Sequence, residues 1–169
     1  IHDNALAVAK ENISKNHFED AIETCLSDGL DEIDTSNYDT LVIAGMGANT
    51  ILHILDNKSK LEPIKKLILQ ANNDLEHLRM TMMKQHFFLE DECILKDKGH
   101  YYTIMCYTKK DQTLTEEELL LGLYREEYQE YYYFLKNKYT NILKQSQNED
   151  IKRKLKLVLN YLYKKNGTI

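Results

Sequence analysis

Apolar residues recur along this chain first at helical spacing, then in short uninterrupted runs, and finally at helical spacing again. From Asn4 to Ile13 the alanines, with Leu6, Ala9 and Ile13 on one face, predict a helix. Ala21 to Leu26 reads as a short strand and Ser27-Asp28-Gly29-Leu30 as the turn after it. Asp39 to Ala44 is the next predicted strand, and its Leu41-Val42-Ile43 run without alternation is the pattern of a parallel strand covered on both faces. Asn49 to Leu55 then offers Ile51, Leu52 and Leu55 to one side of a helix. The only proline, Pro63, precedes a strand from Lys66 to Leu69, after which Asp74 is placed to cap a helix from Leu75 to Gln85. Phe87 to Leu95 and Tyr101 to Tyr107, separated by Lys96-Asp97-Lys98-Gly99, predict an antiparallel hairpin. The result is an α/β fold whose sheet runs parallel and finishes antiparallel.

After Asp111 the period changes. Thr115-Glu116-Glu117-Glu118 caps and charges a helix start, and Tyr124, Tyr128, Tyr131, Leu135, Tyr139 and Ile142 recur at intervals of four and three, which predicts one long helix with a seam. Ser146-Gln147-Asn148 interrupts it, and Ile151, Leu155, Val158 and Leu162 repeat the spacing behind Glu149 and Asp150. Two antiparallel helices sharing an aromatic seam account for both stretches, with the tyrosines as core and not as a base-stacking platform. A monomer is expected, although such a seam can also close between two chains.

Chemistry concentrates at two strand-to-helix junctions. In Thr40-Leu41-Val42-Ile43-Ala44-Gly45-Met46-Gly47-Ala48-Asn49 an apolar strand breaks at two glycines, which permit a sharp turn and close approach of a ligand to the backbone. Leu67-Ile68-Leu69-Gln70-Ala71-Asn72-Asn73 repeats the layout with amides in place of glycines. Each alone is most simply a tight connection; as neighbouring parallel strands they make one side of a pocket.

Composition narrows the classes further. At 169 residues, 43% hydrophobic and 29% charged, the chain is long enough for one substantial core and an extension. No apolar run approaches the roughly 18–20 residues that span a bilayer, and no leader pattern is present, so a soluble, cytoplasmic protein without a membrane partner is expected. Cys25, Cys93 and Cys106 lie in apolar segments without CxxC spacing and read as reduced core residues, and the scattered histidines form no HExxH pair, so no metal is expected. Residues 1–112 carry 12 basic against 19 acidic side chains, whereas 113–169 carry 10 against 8. Beyond Asp150 the charges are Lys152, Arg153, Lys154, Lys156, Lys164 and Lys165 with no acid, which suggests an anionic partner or a solvated lysine-rich face.

Lys10 to Ile13, Ser27-Asp28-Gly29-Leu30, Ile43-Ala44-Gly45-Met46-Gly47, Leu67-Ile68-Leu69-Gln70-Ala71-Asn72 and Leu114-Thr115-Glu116-Glu117-Glu118-Leu119-Leu120, taken in that order, resemble the bacterial tRNA (adenine-22-N1)-methyltransferase family, which uses S-adenosyl-L-methionine. The resemblance covers nearly the whole chain. It implies a Rossmann-like class I methyltransferase body over residues 1–110 and a helical, coiled-coil-like domain over 113–169. The family's glycine-rich first strand has no counterpart, and its ribose-binding acid falls immediately before Ile1, so the chain is expected to lack its N-terminal segment. Three positions depart from the family pattern: Ala48-Asn49 replaces a glycine pair, Ala71 a proline, and Gly122-Leu123 a Gly-Pro.

The resemblance also implies roles. Asp28, Gly29 and Leu30 would meet the cofactor adenine, with Ala44, Gly45, Met46 and Gly47 completing the cofactor site. Gln70, Asn72 and Met46 would receive the target base, their amides serving a base edge and the methionine packing on a flat ring. Adenine N1 already carries a lone pair, so alignment matters more than a strong base. Its place on the Watson–Crick edge requires the base to be extruded. The placement of charge, and not the resemblance, suggests Lys152, Arg153, Lys154 and Lys156 as the holders of tRNA phosphates. The rivals are a small-molecule methyltransferase of the same fold and a non-catalytic RNA-binding module.

Overall fold

The computed structural model describes the backbone of residues 3–166 and the side chains of residues 4–163. Lys164 and Lys165 of the basic stretch lie outside the described side chains. In chain order the elements are α1 (Asp3–Lys15), β1 (Thr40–Met46), α2 (Ala48–Ile54), α3 (Lys58–Leu61), β2 (Lys66–Ala71), α4 (Leu75–Lys84), β3 (Phe87–Asp97), β4 (His100–Lys109), α5 (Glu116–Leu121), α6 (Gln129–Leu143) and α7 (Glu149–Asn166), with a 3₁₀ turn at Glu126–Tyr128. The sheet order is β1-β2-β4-β3. β1 and β2 run parallel, whereas β4 is antiparallel to both β2 and β3. Among the described residues no helix is long and apolar enough to cross a membrane.

Ile51 and Leu55 at the α2 end, with Leu78 and Met82 of α4, pack on Leu67, Leu69, Leu89, Met105 and Tyr107 of the sheet, all essentially excluded from water. Among the described residues only this face is closed. Val42 of β1 stands 62% exposed on the other, so the second cover expected for β1 is not found among the described residues. β1 pairs with β2 alone among the described strands, with Ile43 inward.

Ala21 to Leu26 is irregular and not a strand. Its first two amides, of Ala21 and Ile22, are spent on a turn, both donated to the Phe18 carbonyl at 3.0 Å, and it pairs with no described strand. Cys25 is consequently exposed, not core, while Cys93 and Cys106 are half-buried. Asp74 does precede α4, but its backbone is left-handed (φ 51°) and its carboxylate caps no helix amide. The β3–β4 hairpin closes tighter than predicted, on Lys98-Gly99 alone, with both residues at positive φ (46° and 83°), the type I′ geometry that suits strand twist.

The long tyrosine helix is two helices. α5 begins with the predicted cap: Thr115 Oγ1 accepts from the Glu118 amide at 3.2 Å, and Glu118 Oε2 accepts from the Thr115 amide at 2.8 Å. Thr115→Ala is therefore expected to lower the unfolding free energy by about 1 kcal/mol in urea denaturation. The helix stops at Gly122 (φ 82°), and Tyr124 falls in the break. The break is fixed by a buried pair. Arg79 and Glu92 are both sealed from solvent and joined at 2.5 Å from Nη2 to Oε1. Arg79 Nη1 donates to the carbonyls of Leu119 (2.8 Å) and Leu120 (3.2 Å), the orphan acceptors at the end of α5, and the Leu123 amide donates to Glu92 Oε2 at 2.8 Å. Burial opposes the charge on Arg79, but the Glu92 carboxylate outweighs it and raises the guanidinium pKa.

α6 and α7 then pack on each other, burying Tyr131, Tyr132, Leu135, Val158 and Leu162 with Leu120, Leu121 and Ile94 of β3. Tyr132 and Tyr161 meet edge to face, with centroids 4.8 Å apart. The aromatic seam is thus core.

Candidate functional site

The C-terminal ends of β1 and β2 lie side by side because the two strands are hydrogen-bonded neighbours. Their ladder is regular from Thr40 to Ile43 and then slips, so that Ala44 and Gly45 together oppose Gln70 alone before Met46 meets Ala71. Such a bulge needs one residue in an unusual conformation, and Gly45 supplies it at φ 79°. The side chains of β2 hold the bulge. Gln70 Oε1 accepts from the Gly45 amide at 2.8 Å, Asn72 Nδ2 donates to the Gly45 carbonyl at 2.9 Å, and Gln70 Nε2 donates to Asn72 Oδ1 at 3.1 Å. A closed ring of three bonds therefore fixes both polar groups of one glycine. The Asn72 amide adds a fourth link, to the Met46 carbonyl at 2.8 Å.

Asn73 extends the arrangement. Its Oδ1 accepts from the Ala48 amide at 3.2 Å, the first helical N–H of α2, and stands 3.2 Å from where a Cβ on Gly47 would be. Its place in the same polar turn was the only signal in the sequence for this role. With Ala71 instead of proline, the rigidity of the turn comes from these side-chain bonds.

Gly45 has open space where a side chain would stand, and Ala44 and Met46 are exposed beside it, Met46 at 39%. Gln70 and Asn72 face the same side, each keeping one amide N–H beyond the bonds above, since an NH₂ group has two donors. The site is therefore a preset polar ledge at the end of the sheet, open to a flat partner.

Asp28, Gly29 and Leu30 lie elsewhere. They border a cavity of about 270 Å³ with His53, Ile54, Asp56 and Asn57, and a Cβ on Gly29 would stand 3.1 Å from Ile54 Cγ1. That is the far end of α2 from Gly47. The Leu30 side chain is in the main core. The structure therefore brings together Ala44 to Gly47 with Gln70 and Asn72, and does not join the Asp28 loop to them.

The basic residues of α7 are paired. Arg153 Nη2 reaches Glu76 Oε1 at 2.6 Å and Asp150 Oδ1 at 3.0 Å, Lys154 Nζ lies 2.8 Å from Asp150 Oδ2 and 3.4 Å from Glu76 Oε2, and Lys152 bonds Glu149 at 2.7 Å. The bond to Glu76 is the foremost cause of the raised Arg153 pKa. Lys156 is exposed. Among the described residues no group of three His, Cys, Asp or Glu side chains could hold a metal ion.

Comparison with known proteins decides the family. The model of the tRNA (adenine(22)-N(1))-methyltransferase family, TrmK, matches residues 1–167. The chain belongs to this family. A tRNA (adenine(22)-N(1))-methyltransferase of Bacillus subtilis (strain 168) is 32% identical over 123 residues, 72% of this chain and 52% of the relative. The chain thus spans about half the length of the curated TrmK relative it matches. A Streptococcus agalactiae protein of the NADB-Rossmann superfamily superposes with a TM-score of 0.85 at 26% identity, over 95% of this chain and 76% of that one. The TrmK of M. capricolum, solved with S-adenosyl-homocysteine, superposes with a TM-score of 0.83 at 25% identity, over 95% and 77%. The Rossmann-like reading of the sheet is thereby confirmed.

Proposed function

We propose that this TrmK-family chain carries the methylating body of an enzyme that transfers a methyl group from S-adenosyl-L-methionine to N1 of adenine 22 in tRNA, in the cytoplasm. In this reading residues 1–110 form the body and residues 113–169 the extension that grips tRNA. The observation that carries it is the ring of hydrogen bonds joining Gly45, Gln70 and Asn72 at the end of two adjacent parallel strands. The S-adenosyl-homocysteine bound to the M. capricolum relative supports the cofactor class.

The residues present fit that cofactor at one place. Open space beside Gly45 and the exposed backbone of Ala44 to Gly47 would admit a ligand against the main chain, whereas Asp28, Gly29 and Leu30 enter the proposal on their motif alone. When bound, the cofactor supplies an activated methyl group. The chain's own contribution is alignment. Gln70 and Asn72, immobilised by their mutual bond, present the remaining N–H groups and oxygen lone pairs to an adenine edge, donating to ring nitrogens other than N1 and accepting from the exocyclic amine. Met46 offers a polarisable face to the extruded ring. Such positioning leaves N1 free to react and needs no proton removed beforehand.

Incubation of the full-length protein with unmodified tRNA and the cofactor, followed by nucleoside mass spectrometry, is expected to yield 1-methyladenosine. Gln70→Leu removes the base-facing amide and also frees the Gly45 amide, and is expected to lower kcat roughly 10²-fold and to weaken cofactor binding as well, because it disturbs both the target base and the backbone beside the cofactor. Protein that binds the cofactor by calorimetry yet forms no 1-methyladenosine would overturn the assignment.

A further inference from the structure

Glu76 lies in the first turn of α4, three residues after Asn73, and so at the same end of the sheet as the ledge just described. The same carboxylate holds Arg153 and Lys154 of α7, from 77 and 78 residues further along the chain. The helical extension therefore delivers two cations to the first turn of α4, and a carboxylate of that turn neutralises them there. Arg153 keeps 38% of its side chain in solvent and Lys154 23%, so neither is sealed in the way of Arg79.

We propose that the seam between the first turns of α4 and α7 is a seat for an RNA phosphodiester, with Arg153 and Lys154 as its cations and Glu76 as the resident counter-charge that the phosphate displaces. The inference rests on the methyltransferase reading for its partner, tRNA, and adds the place where the backbone enters and the residue that regulates entry. Three cations, Lys152, Arg153 and Lys154, share this helix end with three carboxylates, Glu76, Glu149 and Asp150. The local field is therefore close to balanced in the free protein and becomes attractive when one carboxylate is removed. Glu76 is the one contributed by the body and not by α7 itself. Arg153 has a planar fork suited to exchanging one oxyanion for another, and Asp150 keeps it oriented through Nε (3.2 Å) and Nη2 (3.0 Å) during the exchange.

Glu76→Gln keeps the size of the side chain and removes its charge. It is expected to tighten tRNA binding about fivefold at low salt, with the advantage shrinking as ionic strength rises. An unrelated RNA hairpin, measured in parallel, is expected to gain by a similar factor, because phosphate contacts carry no sequence information. Cofactor affinity should stay unchanged. Weaker or unaltered RNA binding by Glu76→Gln, or a gain independent of salt, would overturn the seat. Failure of the methyltransferase reading has a different signature, since it removes 1-methyladenosine formation and leaves the charge effect on both RNAs in place.

Discussion

Arg79→Leu is expected to lower the unfolding free energy by about 3–5 kcal/mol, read as a shift of the urea midpoint. Arg79 and Glu92 are both completely buried, and each is the principal partner of the other. Removing the guanidinium leaves a carboxylate in a medium where no water replaces the lost donors, and it also frees the carbonyls of Leu119 and Leu120. The cost is one of stranding a charge, not of losing a favourable contact. A double variant, Arg79→Leu with Glu92→Leu, is accordingly expected to recover part of the loss, because no buried charge then lacks a partner. Equal destabilisation of single and double variants would show that packing around the pair, and not its charge, sets the cost.

Gly122→Ala is expected to cost about 3 kcal/mol or more in the same measurement, from two additive causes. With φ 82° and ψ −167°, Gly122 occupies a region open essentially to glycine alone. A Cβ there would stand 1.8 Å from Glu92 Oε2 and 2.9 Å from Arg79 Nη2, so the substitution would also drive apart the pair that ends α5. Gly99 is the milder case. It has a left-handed φ of 83° in its turn and nothing within 4 Å of its virtual Cβ, so Gly99→Ala is expected to show only the strain of that conformation, about 1 kcal/mol. A Gly122→Ala effect no larger than that of Gly99→Ala would mean that local movement relieves both the clash and the greater backbone strain at Gly122.

The elements that could be read from the residues were those whose pattern depends on nearby sequence. The capping box of α5, the β3–β4 hairpin and the inward set Ile51 and Leu55 follow from local spacing and turn chemistry. So did the two junctions that carry Gly45 and Gln70. What escaped depended on distant partners. Glu92 faces inward only because the ladder shifts between Leu89 and Asp91, which reverses the alternation expected for β3. Arg79 gave a fainter sign: it shares helical spacing with Leu75 and Met82 and so belongs to the buried stripe despite its charge. The interruption of the tyrosine helix at Gly122 is the joint result of those two residues. Ala21 to Leu26 erred in the opposite direction, because a strand-like composition makes no strand without a neighbour to pair with. The basic run of α7 was legible as charge, whereas its neutralisation by Glu76 and Asp150 required the fold.

The unpaired flank of β1 marks where this sheet can grow. Among the described residues its main chain has a mate on one side only, and Val42 shows an oily surface next to it. Neither proline nor lysine interrupts Thr40 to Met46, so the ribbon is fit to receive one more strand through main-chain bonds alone.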